Sequence, residues 1–355
     1  MTRWCWSSGI ELPRGLLFVD VIIGVTPNDR FLPHRPVAVT VQSENEYEDL
    51  LGLWSDLEAG LGIILGSPNS IQEFEQRVWQ YDRWMQTLLQ RDADVGLYLL
   101  FQLATNSPVG YSASHALVSA VLCHLIAVEL KLDAKERDSL VHAALTMNIA
   151  MTALQDQLAG QVEKPSTRQM ESIQSHSVNG GLMLLNLHVT DRLWLDIVSM
   201  HHDERTDKGQ LRLMPPANRL ARILRMVDRY AAMISPRKSR VGRSATDSVR
   251  SIITNSNEQN DEVGHALVRA VGLCPPGTYV RLDNGEVAVV MRRSAKPNLP
   301  HVAIVINDAG ALVAQPRLHR TADNSPKIQA ALAASAVRVR LNHHLILQLG
   351  SYAGR

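Results

Sequence analysis

Several features that mark particular classes of protein are scarce in this sequence of 355 residues. Its three cysteines are odd in number and widely spaced, so neither a disulfide framework nor a zinc knuckle is predicted. The formal net charge is +1, so no overall field favours DNA, RNA or an anionic membrane as the main partner. The longest apolar run near the start, Leu16 to Val25, is interrupted by Asp20 and falls short of the roughly 20 residues that a membrane helix needs. We therefore expect a cytoplasmic protein without a membrane span or a signal peptide.

Hydrophobic residues make up 45% of the chain, which is enough for a sizeable core. The first zone, residues 1–95, holds a leader and a helical region. In that region Phe74, Val78, Tyr81 and Met85 recur with helical spacing and predict one buried face. We expect this zone to act as a lid or a dimerisation helix, and a sensory module is the alternative.

Residues 96–272 are predicted to form consecutive α-helices, because helix start signals recur and almost nothing alternates with period two. Two of the signals are capping boxes, in which a polar cap is followed three residues later by Glu or Gln. Proline in the first turn is another such signal. The predicted starts are Asp133, Ser166, Thr190 (a helix running to His202) and Pro215–Pro216 (a helix running to about Ser235).

The sequence pattern changes in residues 273–355, which we predict to be a β-rich extension and tail. Asn284–Gly285 lies between two apolar segments, and this dipeptide suits the type I′ turn of a β-hairpin. A second strand pair is predicted at His301–Ile306 and Ala311–Ala314. The predicted fold class is therefore mainly α, a helical bundle followed by a small C-terminal β-rich appendage at about 275–316.

Most of the thirteen histidines, such as His124 and His142, are expected to be packed or capped inside helices. His201–His202 differ from these. Neighbouring residues on a helix point about 100° apart, so both can face one cavity only if it lies off the helix end. Asp228 is a second unusual position, because a charged residue in an apolar helix must pair with an arginine or bind a ligand. Spacing alone leaves both a shared metal site and separate packed side chains open.

Several segments, in order and with fitting separations, resemble the HD-GYP type of HD-domain cyclic di-GMP phosphodiesterases. The resemblance implies the helical bundle of an HD domain over residues 96–272. It also implies metal ligands at five positions and phosphate-binding arginines at two more. The segments are Tyr111–His115, Gln174–His176, His201–Asp203, Ala221–Arg237 and the tail that begins at Pro275. The implied ligands are His115, His176, His201, His202 and Asp228, and the implied arginines are Arg237 and Arg240.

The sequence departs from the family where the family's His-Asp pair and its phosphate-facing lysine belong. Met147 replaces the histidine, Asn148 the metal-bridging aspartate and Met151 the lysine. The Gly-Tyr-Pro of the family name is also absent, since Gly209–Leu211 occupies its place. A neutral amide cannot offset the repulsion of two metal ions, and a thioether is a poor ligand for iron, manganese or magnesium.

These changes indicate a degenerate metal site that holds at most one divalent ion, iron or manganese. We expect a signalling protein that is non-catalytic or weakly active and binds a nucleotide such as cyclic di-GMP, or a partner protein. The alternatives are an active metal-dependent cyclic di-GMP phosphodiesterase and a structural interaction platform without a ligand. Any phosphate ligand is expected to depend on arginines. The helix of Asp228 also carries Arg219, Arg222, Arg225 and Arg229, and the last three share one face. The alternative for these arginines is a solvated basic face with Arg222 paired to a surface acid.

Overall fold

The structure, a computed structural model, describes residues 45–103, 109–203, 210–239, 242–255, 262–322, 325–337 and 339–353. All of these residues lie in the second of two compact units, which runs from Val41 to Arg355. The leader that we predict at the start of the chain lies outside the described residues up to position 44, as do Gly209 and Arg240.

The first two helices precede the bundle, and the second of them confirms the predicted apolar face. They are α1 (Asn45–Gly66) and α2 (Phe74–Leu103). Asp92 interrupts α2 with extended backbone angles (φ −162°, ψ 100°), and its carboxylate accepts hydrogen bonds from the amides of Asp94 and Val95. The predicted boundary between residues 95 and 96 therefore lies inside α2, just after this kink. The face of Phe74, Val78, Tyr81 and Met85 is buried.

Eight helices follow in the described part of residues 96–272, and no strand is found there, as the sequence predicts. The central one is α3, which is buried along most of its length. It is also the one described helix that is long and apolar enough to cross a membrane, but 78% of its most apolar stretch is buried, as in a core helix. The eight are α3 (Tyr111–Glu129), α4 (Ala134–Thr146), α5 (Thr152–Gly160), α6 (Thr167–Asn186), α7 (Arg192–Met200), α8 (Pro216–Ile234), α9 (Ala245–Asn255) and α10 (Glu262–Val271).

The predicted caps are largely present. Asp133 accepts a hydrogen bond from the amide of Glu136 at the start of α4, and Ser166 forms a complete capping box with Gln169 at the start of α6. The prediction for α7 was wrong at both ends. Asp191 is the cap in place of Thr190, because its carboxylate reaches the amides of the first turn, and the helix ends at Met200, two residues before His202.

The C-terminal region forms a five-stranded antiparallel sheet in the order β4-β3-β2-β1-β5. The hairpin and the third strand are confirmed. Sequence reasoning missed the length of β4, the fifth strand and a last helix, α11 (His343–Ala353), because these segments have short or mixed polar patterns. One face of the sheet joins the core of the helical bundle, and the other encloses a small cluster of its own. The strands are β1 (Tyr279–Leu282), β2 (Val287–Arg292), β3 (His301–Ile306), β4 (Leu312–Arg320) and β5 (Ile328–Leu332).

Asp191 carries several contacts that fix α7, the helix whose end holds His201. Its Oδ1 accepts hydrogen bonds from the amides of Leu193 and Trp194, and its Oδ2 accepts one from Ser139 Oγ at 2.6 Å. We expect Asp191→Ala to lower the free energy of unfolding by about 1–3 kcal/mol, since the helix cap and a buried hydroxyl both lose their acceptor. Asp191→Asn, which can still cap, should lose less than half as much in urea unfolding. Equal losses for the two variants would contradict the capping role.

Candidate functional site

Three histidines form a compact cluster where the end of α7 meets the middle of α6. The nearest ring nitrogens of His176, His201 and His202 all lie within 4.8 Å of one another. His176 and His201 are buried, and His202 is exposed on one side. His201 is the C-cap of α7 and His202 follows it, and both rings face the same space at the helix end, as the argument about a cavity off the helix end requires.

Glycine makes this close approach of the two helices possible. Gly180 and Gly181 lie just after His176 on α6, against the end of α7. A Cβ at Gly181 would overlap Ser199 Oγ, and one at Gly180 would lie 3.2 Å from a methyl group of Val198. The absence of side chains at both positions lets the end of α7 pack beside His176.

Backbone carbonyls fix the orientation of two imidazole rings. Nδ1 of His176 lies 2.5 Å from the carbonyl oxygen of Ile173, and Nδ1 of His201 lies 2.7 Å from that of Val198. A carbonyl only accepts, so in both rings Nδ1 carries the hydrogen. The two Nε2 atoms then face each other at 3.3 Å, and in neutral rings both present lone pairs.

Burial favours the neutral form of two of the three rings, those of His201 and His202. Burial and then the neighbouring His202 lower the pKa of His201 to about 3. Burial likewise lowers the pKa of His202, although Asp228 opposes this effect. Neutral imidazole is the form that binds metal ions, and a hydrogen bond from the other ring nitrogen is the usual way in which proteins orient such ligands.

His115 and Asp228 form a separate pair beside the cluster. His115 Nε2 lies 2.8 Å from Asp228 Oδ1, and this pair joins α3 to α8. Burial alone would raise the pKa of Asp228, but the hydrogen bond with His115 and the charges of nearby histidines lower it below its usual range. The carboxylate is therefore ionised, and its charge acts on both His201 and His202. The five predicted positions thus divide into three clustered histidines and one His–Asp pair.

The residues that differ from the HD-GYP pattern lie between α4 and α5. Met147 is the C-cap of α4 and is fully buried in the hydrophobic core. Asn148 is half-buried, and Met151 is half-buried at the end of a short 3₁₀ turn. The carbonyl of Met147 lies against Gly180, one turn after His176, so this segment runs beside the helix that carries the cluster.

Arg237 is fixed to the start of α3. Its Nη2 donates a hydrogen bond to Tyr111 Oη at 2.9 Å, and its guanidinium carbon lies 4.7 Å from the centre of the Tyr111 ring. The second predicted arginine, Arg240, lies outside the described residues. Three arginines on α8 differ in exposure and do not form one solvated face: Arg222 is buried, Arg225 is half-buried and Arg229 is exposed.

His142 confirms its predicted role as a packed histidine, and it has a partner that the sequence did not reveal. Its Nε2 lies 3.1 Å from Asp82 Oδ2 on α2, and its ring packs against Trp79 and Trp194. Asp82 lies 60 positions earlier in the chain, and no local pattern predicts such a pairing.

Comparison with known proteins gives two matches. The chain is 28% identical over 208 residues to a cyclic di-GMP phosphodiesterase of Pseudomonas aeruginosa, a match that covers 55% of this chain and 48% of that protein. The chain thus spans about half the length of this relative. An HDG"Y"P protein of Bdellovibrio bacteriovorus matches in structure with a TM-score of 0.48 and 11% identity, over 65% of this chain and 74% of the other. No family model matches the sequence.

The histidine cluster predicts bound metal. We expect protein purified without a chelator to contain up to one equivalent of a divalent metal ion by elemental analysis. His201→Ala should lower this content at least tenfold, since removal of one of three imidazoles leaves too few ligands. His265→Ala removes an exposed histidine far along the chain and should leave the content unchanged. Equal metal content in both variants would argue against the cluster as the binding site.

Proposed function

We propose that this chain, which resembles HD-GYP-type proteins, is a signalling protein with a one-metal site that binds cyclic di-GMP or a related phosphate compound and hydrolyses it slowly or not at all. One observation carries the proposal. The Nε2 atoms of His176 and His201 face each other at 3.3 Å while both Nδ1 atoms are tied to carbonyls. Where both rings are neutral, the two facing lone pairs repel each other in a buried space, and a cation between them removes that repulsion.

The donor set fits one ion. Three imidazoles with an open fourth position are a common arrangement for a single transition metal ion, and imidazole suits iron or zinc better than manganese. Of the two metals that the family resemblance suggests, iron is therefore the better match. When bound, the ion would supply a Lewis acid for a phosphate oxygen. His202, on the exposed side of the cluster, lies nearest to where a ligand would enter.

A second ion lacks support. It would need the ligands at Met147 and Asn148, but the former is a thioether in the hydrophobic core and the latter carries no charge. His115 Nε2, another expected donor, is engaged with Asp228. Two-metal hydrolysis depends on ions about 3.5–4 Å apart, bridged by an anionic ligand and by the attacking water. We infer that this chain binds its ligand and hydrolyses it slowly or not at all.

An active phosphodiesterase is the second candidate. It is favoured by the name of the Pseudomonas relative and by the ionised Asp228 next to the cluster. A single ion with that carboxylate as its neighbour can support weak hydrolysis. An interaction platform without any ligand is the third reading, and measurement of nucleotide binding separates it from the other two.

Hydrolysis of cyclic di-GMP is expected to be below about 0.01 per second with added ferrous iron or manganese. Losing one preorganised electrostatic group commonly costs about 10²–10³ in rate, and typical enzymes turn over at about 1–10³ per second. The variant with Met147→His, Asn148→Asp and Met151→Lys should bind a second equivalent of metal. Met170→His, on the exposed face of α6, serves as a control for the added histidine. Wild-type turnover at or above about 1 per second would overturn the one-metal proposal.

Phosphate binding is expected to depend on arginine. Titration calorimetry at low salt should detect cyclic di-GMP binding to the native protein below about 0.1 mM, since a guanidinium fork matches phosphate geometry without a metal. Arg237→Ala should weaken it at least tenfold, and Arg229→Ala, an exposed arginine on α8, should change it less than twofold. The same comparison made with Arg240→Ala tests the second arginine. Similar affinities for all the variants would leave the interaction platform as the better reading.

A further inference from the structure

The hydroxyl of Tyr111 occupies part of the binding edge of Arg237. An arginine offers two parallel N–H groups, from Nε and one Nη, to a carboxylate or phosphate. In Arg237 the Nη2 group donates to Tyr111 Oη at 2.9 Å. Nε is buried and makes no hydrogen bond within the described residues. One half of the edge is thus held by a neutral hydroxyl, and the other half has no acceptor in the part of the chain that the structure describes.

The hydrogen bonding of the Arg237 guanidinium is therefore incomplete among the described residues. A buried donor without an acceptor destabilises the state that contains it. A phosphate that approaches from the side could accept from both N–H groups, and its charge makes it a stronger acceptor than a phenol. It would have to displace the Tyr111 hydroxyl to do so.

Tyr111 also reaches the His–Asp pair. Its ring stacks on that of His115, with ring centres 5.5 Å apart and planes 12° from parallel. His115 in turn pairs with Asp228, whose charge acts on His201 and His202. A series of contacts therefore runs from Arg237 through Tyr111 and His115 to Asp228, and the charge of Asp228 acts on the histidine cluster.

We propose that Tyr111 is a latch: its hydroxyl holds Arg237 until a phosphate group displaces it, and its ring transmits the displacement to His115. This inference rests on the proposed function, because it assigns the entry of the phosphate ligand to Arg237. It makes Tyr111 a positioning residue that regulates binding. The latch weakens the affinity for phosphate, because the ligand must break one charged hydrogen bond before it forms its own.

Tyr111→Phe tests the latch, since it removes the hydroxyl and keeps the ring. With chelator present to exclude metal–phosphate bonds, calorimetry should show cyclic di-GMP binding to Tyr111→Phe about tenfold more tightly than to wild type, equal to about 1.4 kcal/mol. A residue with a merely structural role would not produce a gain in affinity. Tyr352→Phe, which changes an exposed tyrosine on α11, is the matched control and should bind as wild type does. Inorganic pyrophosphate, titrated in parallel, should show the same order of affinities.

The signals of the His115 ring in nuclear magnetic resonance spectra give a second readout. Ligand should shift them in wild type, because the Tyr111 ring moves, and in free Tyr111→Phe they should already lie near the ligand-bound position. Unchanged or weaker binding by Tyr111→Phe, together with loss of binding in Arg237→Ala, overturns the latch and leaves the arginine site intact. Equal binding by wild type and Arg237→Ala, or no binding by either, overturns the arginine site and the latch together.

Discussion

The facing Nε2 atoms of His176 and His201 are the constraint on which the site depends. Each ring is held by a carbonyl three residues earlier in the chain, so neither can turn its Nε2 away without losing a hydrogen bond. One of these carbonyls, that of Val198, is among the last of α7, where helix geometry leaves carbonyls without amide partners. The ring of His201 thus completes the helix end and is oriented by it at the same time.

The packing around the site serves this geometry. Gly180 and Gly181 bring α7 against α6, and Asp191 fixes the start of α7 to α4 through Ser139. α4 is in turn held to α2 by the buried contact between His142 and Asp82. The segment that carries Met147 and Asn148 leaves the end of this same α4, so these contacts also position the two residues that depart from the HD-GYP pattern.

The sequence predicted the helical bundle, its caps at Asp133 and Ser166, and the β-hairpin. It succeeded because each of these has a local signature, such as a cap spacing or an Asn-Gly turn. What it missed depends on contacts that are distant in the chain. Three features were missed: the pairing of His115 with Asp228, the stacking of Tyr111 on His115, and the strand β5. Each needs a partner that only the fold brings near. The metal ligands and the domain boundaries stay predictions.

The five predicted positions divide into three clustered histidines and one His–Asp pair, and this division has a chemical consequence. To neutralise a second metal ion in a two-metal site, the ionised Asp228 would have to leave His115. His115 would then be buried with both ring nitrogens unpartnered among the described residues, since its Nδ1 already has no hydrogen bond there. Without a bridging carboxylate at position 148, no gain offsets that cost. Under the one-metal proposal, the His–Asp pair takes the place of a second metal ion, because Asn148 supplies no charge and His115 is engaged with Asp228. Tyr111 stacks on the same imidazole, so under the proposed latch a phosphate at Arg237 would act on the remaining histidines through this contact.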